Sequence, residues 1–208
     1  MSDIIKSTSF NQEEIIQSII DLYCPDGIEV DPTYSKGNFY KGTIAEPLHK
    51  FDIKPYNSSI RQSCATNLPL SDSSISSIMF DPPFLATTGK SLTKNDGSNK
   101  INKRFGVFKN ENELHSFYHL ALSEFYRVSK KNGILIFKCQ DKVSSGKQYF
   151  SHCFIYEKAR LLGWYPQDLF VLLAKNRIVA NWQRNQRHCR KYHSYFWVFR
   201  KKQVNICV

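Results

Sequence analysis

Ile75-Ser76-Ser77-Ile78-Met79-Phe80-Asp81-Pro82-Pro83-Phe84 is the stretch that decides how this chain reads. Ile75 to Phe80 is a short apolar run with the composition of a buried strand, and it stops at a carboxylate. Each proline fixes its own φ and removes a backbone donor, and each pushes the residue before it into an extended conformation. The strand therefore ends in a stiff loop. That loop holds a carboxylate, carbonyls without competing N–H groups, and an aromatic face in a fixed relation. Such a set suits a planar amine, with acceptors for two amino hydrogens and a ring to stack on the base. The plainer reading is a strand-end turn with a capping aspartate.

Outward from this stretch, strand-like and helix-like patterns alternate. Asn11 to Tyr23 has Ile15, Ile16, Ile19, Ile20 and Tyr23 on one helical face, with Asn11 as N-cap and Glu13 and Glu14 in the first turn. Short strands are predicted over 28–31 and 49–53. A second helix is predicted over 113–128, closed by Asn132-Gly133, then a strand over 134–137 and a helix over about 149–162 ending at Gly163. Asp168 to Ala174 and Tyr192 to Arg200 read as the last two strands. Strands separated by helices predict an α/β domain with a mostly parallel sheet. Asp31, Asp52 and Asp81 then all fall at the carboxyl ends of strands, where open α/β sheets bind their ligands.

Asp81-Pro82-Pro83-Phe84 resembles the catalytic motif of S-adenosylmethionine-dependent methyltransferases that act on exocyclic amines, in the form typical of DNA adenine N6 enzymes. Three further stretches resemble that family in the same order. Asp31-Pro32-Thr33-Tyr34, followed by Ser35 and Gly37, is similar to its first strand-to-helix turn, with Ser35 in place of the first glycine. Lys50 to Pro55 is similar to its second strand, ending at Asp52 for the cofactor ribose. Ser63-Cys64-Ala65-Thr66-Asn67-Leu68 is similar to the segment beside the cofactor adenine, with Ser63 and Cys64 where an acid is usual. The resemblance implies a Rossmann-like class I methyltransferase fold with an antiparallel last strand and helices on both faces. It implies S-adenosyl-L-methionine as cofactor, held by Asp31, Pro32, Thr33, Tyr34, Gly37, Asp52, Ser63, Cys64, Ala65, Asn67 and Leu68. Catalysis would fall to Asp81, Pro82, Pro83 and Phe84, with no metal and no covalent intermediate.

With 208 residues the chain suits one domain with a sizeable core. Its formal charge of +11 favours a polyanionic partner. Much of the excess lies in two segments that break the α/β alternation. The first, 85–110, carries Lys90, Lys94, Lys100, Lys103 and Arg104 with Phe105. The second, 175–191, carries Arg177, Arg184, Arg187, Arg190 and Lys191, and no Asp or Glu occurs after Asp168. Lysines neutralise phosphates, arginines can also bond base edges, and an aromatic can stack on a base, which makes both segments candidate nucleic-acid-binding insertions. A solvated insert and a basic hairpin are the plainer readings.

The six cysteines have wide spacings and no C-x-x-C pair, which argues against a zinc knuckle and a dense disulfide framework and for reduced thiols. His115 and His119 stand four apart on the second helix without an acid to complete a metal set, so a structural role is expected. No run approaches a membrane span and the first ten residues lack an apolar targeting core, so a cytoplasmic chain is expected. The expectation is a single methyltransferase domain over 1–208 acting on adenine N6 in DNA. An RNA amine methyltransferase, and an inactive nucleic-acid-binding module of the same fold, are the alternatives.

Overall fold

The computed structural model describes residues 4–84, 86, 108–144, 146–176 and 188–202. Lys90, Lys94, Lys100, Lys103, Arg104 and Phe105, and Arg177, Arg184 and Arg187, lie outside the described residues. In chain order the elements are β1 (Thr8–Ser9), α1 (Gln12–Tyr23), β2 (Val30–Asp31), β3 (His49–Asp52), β4 (Arg61–Gln62), β5 (Ile75–Phe80) and α2 (Glu111–Val128). They continue with β6 (Ser129–Cys139), β7 (Lys142–Ser144), β8 (Lys147–Tyr149), α3 (Ser151–Leu161), β9 (Trp164–Leu173) and β10 (His193–Lys201). Eight strands form one sheet in the order β1-β9-β10-β6-β5-β2-β3-β4, and β7 and β8 form a separate hairpin. Every pair in the main sheet is parallel except those of β10, which runs antiparallel between β6 and β9. The chain order reverses between β2 and β5, where open sheets of this kind place their ligand crevice.

Each face of the sheet has its own apolar layer. On one side Leu114, Tyr118, Leu122 and Phe125 of α2 and Ile155 and Ala159 of α3 pack on Ile78, Phe80, Leu135 and Phe137. Phe80 meets Phe125 and Phe137 edge-on at 4.8 and 4.9 Å between ring centroids, an arrangement that adds to plain area burial. On the other side Ile15, Ile16 and Ile19 of α1 cover Met79, Ile134, Ile136 and Phe170. Strand β5 is buried on both faces apart from Ser76, which is why it reads as a continuous apolar run.

Capping explains where α1 and α2 start. Asn11 and Asn110 each accept a hydrogen bond from the N–H two or three residues on, Glu13 and Glu113, at 2.9 Å. Gly163, at φ +96°, takes the chain out of α3.

The structure corrects several expectations. Asn132-Gly133 does not close α2. The helix stops at Val128, strand β6 starts at Ser129, and Asn132 sits at φ +63° within β6, where its pairing with β5 shifts register. A Cβ on Gly133 would stand 3.0 Å from the Lys130 carbonyl oxygen and 3.2 Å from that of Ile75, so the glycine answers a close backbone approach. Tyr149 belongs to β8, and α3 begins only at Ser151. No helix separates β2, β3, β4 and β5, all of whose connections are described. Residues 32–48 instead tuck Tyr34, Phe39, Tyr40 and Ile44 under the sheet beside α1. Glu13 of α1 ties this segment down by accepting from the Thr43 N–H and hydroxyl, both at 2.9 Å.

The ring of His115 stacks on Phe154 at 4.2 Å, a packing role, although its Nε2 has no hydrogen-bond partner. Cys24, Cys64, Cys139, Cys153 and Cys189 are free thiols, and Cys207 lies outside the described residues. No helix among the described residues is long and apolar enough to cross a membrane.

Candidate active site

Asp31 ends β2, Asp52 ends β3 and Asp81 follows β5, and the parallel pairing brings all three to one edge of the sheet. Asp31 is almost completely buried. Its Oδ1 accepts from the Thr33 N–H (2.7 Å) and hydroxyl (3.1 Å), and its Oδ2 from the Tyr40 hydroxyl (2.8 Å). Burial pushes the Asp31 carboxyl up to about 7, against the opposing pull of those hydrogen bonds, and the negative charge of Asp81 adds a smaller push. The Thr33 hydroxyl in turn accepts from the Asp81 N–H at 2.9 Å. One threonine thus couples the turn after β2 to the loop after β5.

A carboxyl whose folded pKa lies above its ordinary 3.8 holds a proton more tightly when native. Its contribution to stability is complete at low pH and is lost as pH rises toward 7. Between pH 5 and 7 the loss should be roughly 2–3 kcal/mol, or about 4–12 °C in melting temperature. Thermal melts of the wild type and Asp31→Asn across this window should show a steeper decline in the wild type. Parallel curves would assign the pH dependence elsewhere.

The turn after β2 runs on through Tyr34 and Ser35. The Tyr34 N–H donates to the Phe51 carbonyl (3.0 Å) and the Ser35 N–H to Asp52 Oδ2 (3.0 Å), while Asp52 Oδ1 accepts from the Lys54 N–H (2.7 Å). Two backbone donors thus orient the Asp52 carboxylate and leave it lone pairs for a vicinal diol. Ser35 lies at φ +54°, a left-handed conformation that glycine adopts without penalty. Gly37 lies at φ +63°, and a Cβ there would stand 2.4 Å from the Tyr34 hydroxyl oxygen and 2.7 Å from ring carbon Cζ. Gly37→Ala should cost about 1–3 kcal/mol through backbone strain and displacement of that ring. A melting temperature within a degree of wild type would refute this.

Ser63, Cys64, Ala65, Asn67 and Leu68 form a turn beside the end of β3. The Ser63 N–H donates to the Asp52 carbonyl (3.1 Å), the Ser63 hydroxyl to the Asn67 carbonyl (3.0 Å), and Cys64 Sγ stands 3.1 Å from Thr66 Oγ1. The Leu68 N–H is held by Glu124 of α2 at 2.7 Å.

In the loop after β5 some acceptors are occupied and others open. The Tyr118 hydroxyl donates to the Pro83 carbonyl at 2.6 Å, and Lys142 Nζ donates to the Phe84 carbonyl. Among the described residues no donor reaches the Pro82 carbonyl. Asp81 Oδ1 is buried without a hydrogen-bond partner. Its Oδ2 stands 3.6 Å from Lys138 Nζ, and the side chain as a whole is 30% exposed. Burial raises the Asp81 carboxyl above its ordinary range, and the Lys138 ammonium pulls it back.

Lys138 and Lys142 are the groups sequence reasoning missed. Lys138 Nζ lies 4.8, 5.5 and 5.7 Å from the Phe39, Phe196 and Phe84 ring centroids and donates to Gln12 Oε1 at 2.9 Å. A lysine closing an apolar strand next to the switch point was the available signal. Lys142 pairs with Glu111 at 2.6 Å, and both are buried. Neither Glu111 oxygen makes a well-directed hydrogen bond, so the contact is ionic. Arg190 and Lys191 stand in the described part of the second basic segment, where Lys191 Nζ donates to Cys189 Sγ at 3.4 Å and lies 6.0 Å from the Phe150 ring centroid. A cavity of about 520 Å³ at the opposite edge, lined by Tyr23, Glu29, Ser77 and Asn132, holds none of the three acids.

Among solved structures the chain is similar to an S-adenosylmethionine-dependent methyltransferase from Thermotoga maritima for which histamine N-methylation is suggested. Identity is 16%, the match covers 93% of this chain and 90% of that one, and the TM-score is 0.52. A proposed DNA modification methylase from Thermus thermophilus matches at 14% identity over 74% of this chain and 54% of that one, with a TM-score of 0.47. The cytosine-N4-specific PvuII DNA methyltransferase matches at 12% identity over 64% and 45%, with a TM-score of 0.46. The chain spans about half the length of these two DNA methylases. No protein-family model matches the chain, and no curated protein matches it by sequence. The sheet order and the Thermotoga likeness define an α/β class I methyltransferase fold.

Proposed function

We propose that this chain is an S-adenosylmethionine-dependent methyltransferase acting on the exocyclic N6 amine of adenine in DNA. The observation that carries the reading is a pair of acceptors without a donor on consecutive residues, the buried, partnerless Asp81 Oδ1 and the Pro82 carbonyl, followed by Phe84. An amino group has two hydrogens to give, and these acceptors take one each. Adenine's amine is a weak nucleophile because its lone pair is delocalised into the ring. Hydrogen bonding to Asp81 and Pro82 favours a more tetrahedral nitrogen, and Phe84 stacks on the base. Positioning of this kind can supply roughly 7–11 kcal/mol.

The residues fit the cofactor: Asp52 has lone pairs for the ribose hydroxyls, and the turn from Asp31 to Gly37 lies beside it. When bound, S-adenosylmethionine supplies a methyl group already activated on a sulfonium. In this reading the Asp81 carboxylate also takes the proton that the methylated amine sheds. A base within a duplex cannot reach such a loop, so the target is flipped out or already single-stranded, at an unstacking cost of a few kcal/mol. Within a single domain over 1–208, segments 85–110 and 175–191 serve as the nucleic-acid-binding insertions. They leave from Phe84 and from the end of β9, at the same edge as the three acids.

The deciding experiment offers tritiated S-adenosylmethionine with unmethylated duplex DNA, single-stranded DNA and total RNA in parallel, followed by nucleoside mass spectrometry. N6-methyldeoxyadenosine is the expected product. Label confined to RNA would move the substrate to that polymer. Cofactor binding with no label in any arm would refute a nucleic-acid substrate.

A further inference from the structure

A cavity of about 400 Å³ opens where β9 ends, lined in part by Phe10, Gln12, Gln140, Lys175 and His193. One side chain joins it to the Asp81 site. Gln12 Oε1 accepts from Lys138 Nζ, and the same ammonium stands 3.6 Å from Asp81 Oδ2. Phe10 is 58% exposed, with Lys175 Nζ 5.7 Å from its ring centroid. Gln140 spends its amide N–H on the His193 carbonyl at 3.0 Å and keeps its Oε1, while Gln12 keeps its amide N–H groups.

An exposed aromatic ring, a cation and two side-chain amides around one concavity are the groups that take a nucleotide. The ring stacks on the base, the amides bond its edge and the ammonium meets its phosphate. The volume lies at the lower end of small-ligand sites, about 300–1,000 Å³. A purely apolar ligand would leave Lys175 and both amides without a role.

We propose that this cavity is a subsite for the nucleotide adjacent to the base presented to Asp81, so that Phe10, Gln12 and Gln140 read sequence context. This rests on the nucleic-acid reading of the Asp81 site. The test uses short single strands carrying one adenine, with each neighbouring nucleotide in turn made abasic. Affinity is measured by fluorescence anisotropy and kcat/KM by methyl transfer.

In the wild type, one of the two abasic strands should bind and react about ten- to a hundredfold less well. Phe10→Ala should show that same loss with the intact strand and no further loss with the abasic one. Because Phe10 is mostly exposed, its replacement leaves the core untouched. Gln140→Ala should change the order of preference among the four bases at that neighbour.

Transfer that proceeds with less than a twofold effect of either abasic neighbour would overturn the subsite and leave the Asp81 reading standing. So would a Phe10→Ala variant that keeps the full abasic penalty. Binding that depends on the neighbour, without transfer, would uphold the subsite while removing the proposed chemistry. A chain that neither binds nor methylates any strand would overturn both.

Discussion

Replacing Asp81 with alanine should abolish methyl transfer, by about 10²–10³-fold or more, and leave S-adenosylmethionine affinity close to wild type. A preorganised group aimed at the reacting centre contributes on this scale because it needs no reorganisation during the step. Asp81 Oδ1 is buried and unpartnered, so its removal strands no donor there; Lys138 loses its 3.6 Å contact with Oδ2, Asp31 loses only the smaller push of the Asp81 charge, and the proposed cofactor groups Asp52 and Gly37 keep their contacts. Asp81→Asn retains a carbonyl acceptor and should keep more activity than alanine. The raised Asp81 carboxyl adds a pH signature. Wild-type transfer should fall on acidification at a pH above the ordinary carboxylate range, and the asparagine variant should lack that limb. Single-turnover transfer with calorimetric cofactor binding checks all three. Wild-type turnover in Asp81→Ala would sink the assignment.

The second large effect is expected at Lys142. Lys142 and Glu111 are 7% and 4% exposed and 2.6 Å apart. Burial lowers the lysine's pKa, and its partner partly restores it. Lys142→Met strands the Glu111 charge in the interior, which should cost about 3–5 kcal/mol, or about 6–20 °C in melting temperature. The double variant Lys142→Met/Glu111→Leu should recover most of that stability, since an apolar pair of similar volume is close to neutral. It should not recover activity. Lys142 also donates to the Phe84 carbonyl, and Glu111 opens α2 where the chain returns from the 85–110 segment, so the pair holds both ends of that segment. A kcat reduced about tenfold with cofactor affinity unchanged is expected of a positioning role. Full activity in the refolded double variant would reduce the pair to a structural one.

How legible the molecule was from its residues depended on the range of the interactions involved. Helix α1 was readable because Asn11 caps its own first turn and Ile15, Ile16 and Ile19 repeat at helical spacing. Strand β5 was readable because a strand buried on both faces must be apolar throughout. Asn132-Gly133 misled because the same local signal serves a helix end and an irregular strand entry, and contact with Ile75 decided between them. Strands β1 and β4 are two residues long, too short to carry a period, and exist because β9 and β3 offer them an edge. The β7–β8 hairpin is likewise defined by pairing rather than composition.

The α/β class and three acids at strand ends are legible from short stretches of chain, because burial periodicity, caps and the Asp81-Pro82-Pro83-Phe84 stiffness are written in neighbouring residues. The sequence by itself could not say which polar groups those acids would meet. Thr33 linking Asp31 to Asp81, Tyr40 against Asp31, and Lys138 caged by Phe39, Phe84 and Phe196 all join residues from different elements. Those partners, and with them the raised carboxyls of Asp31 and Asp81, were decided by the tertiary structure alone, since desolvation and charge proximity depend on what the fold brings within a few ångströms.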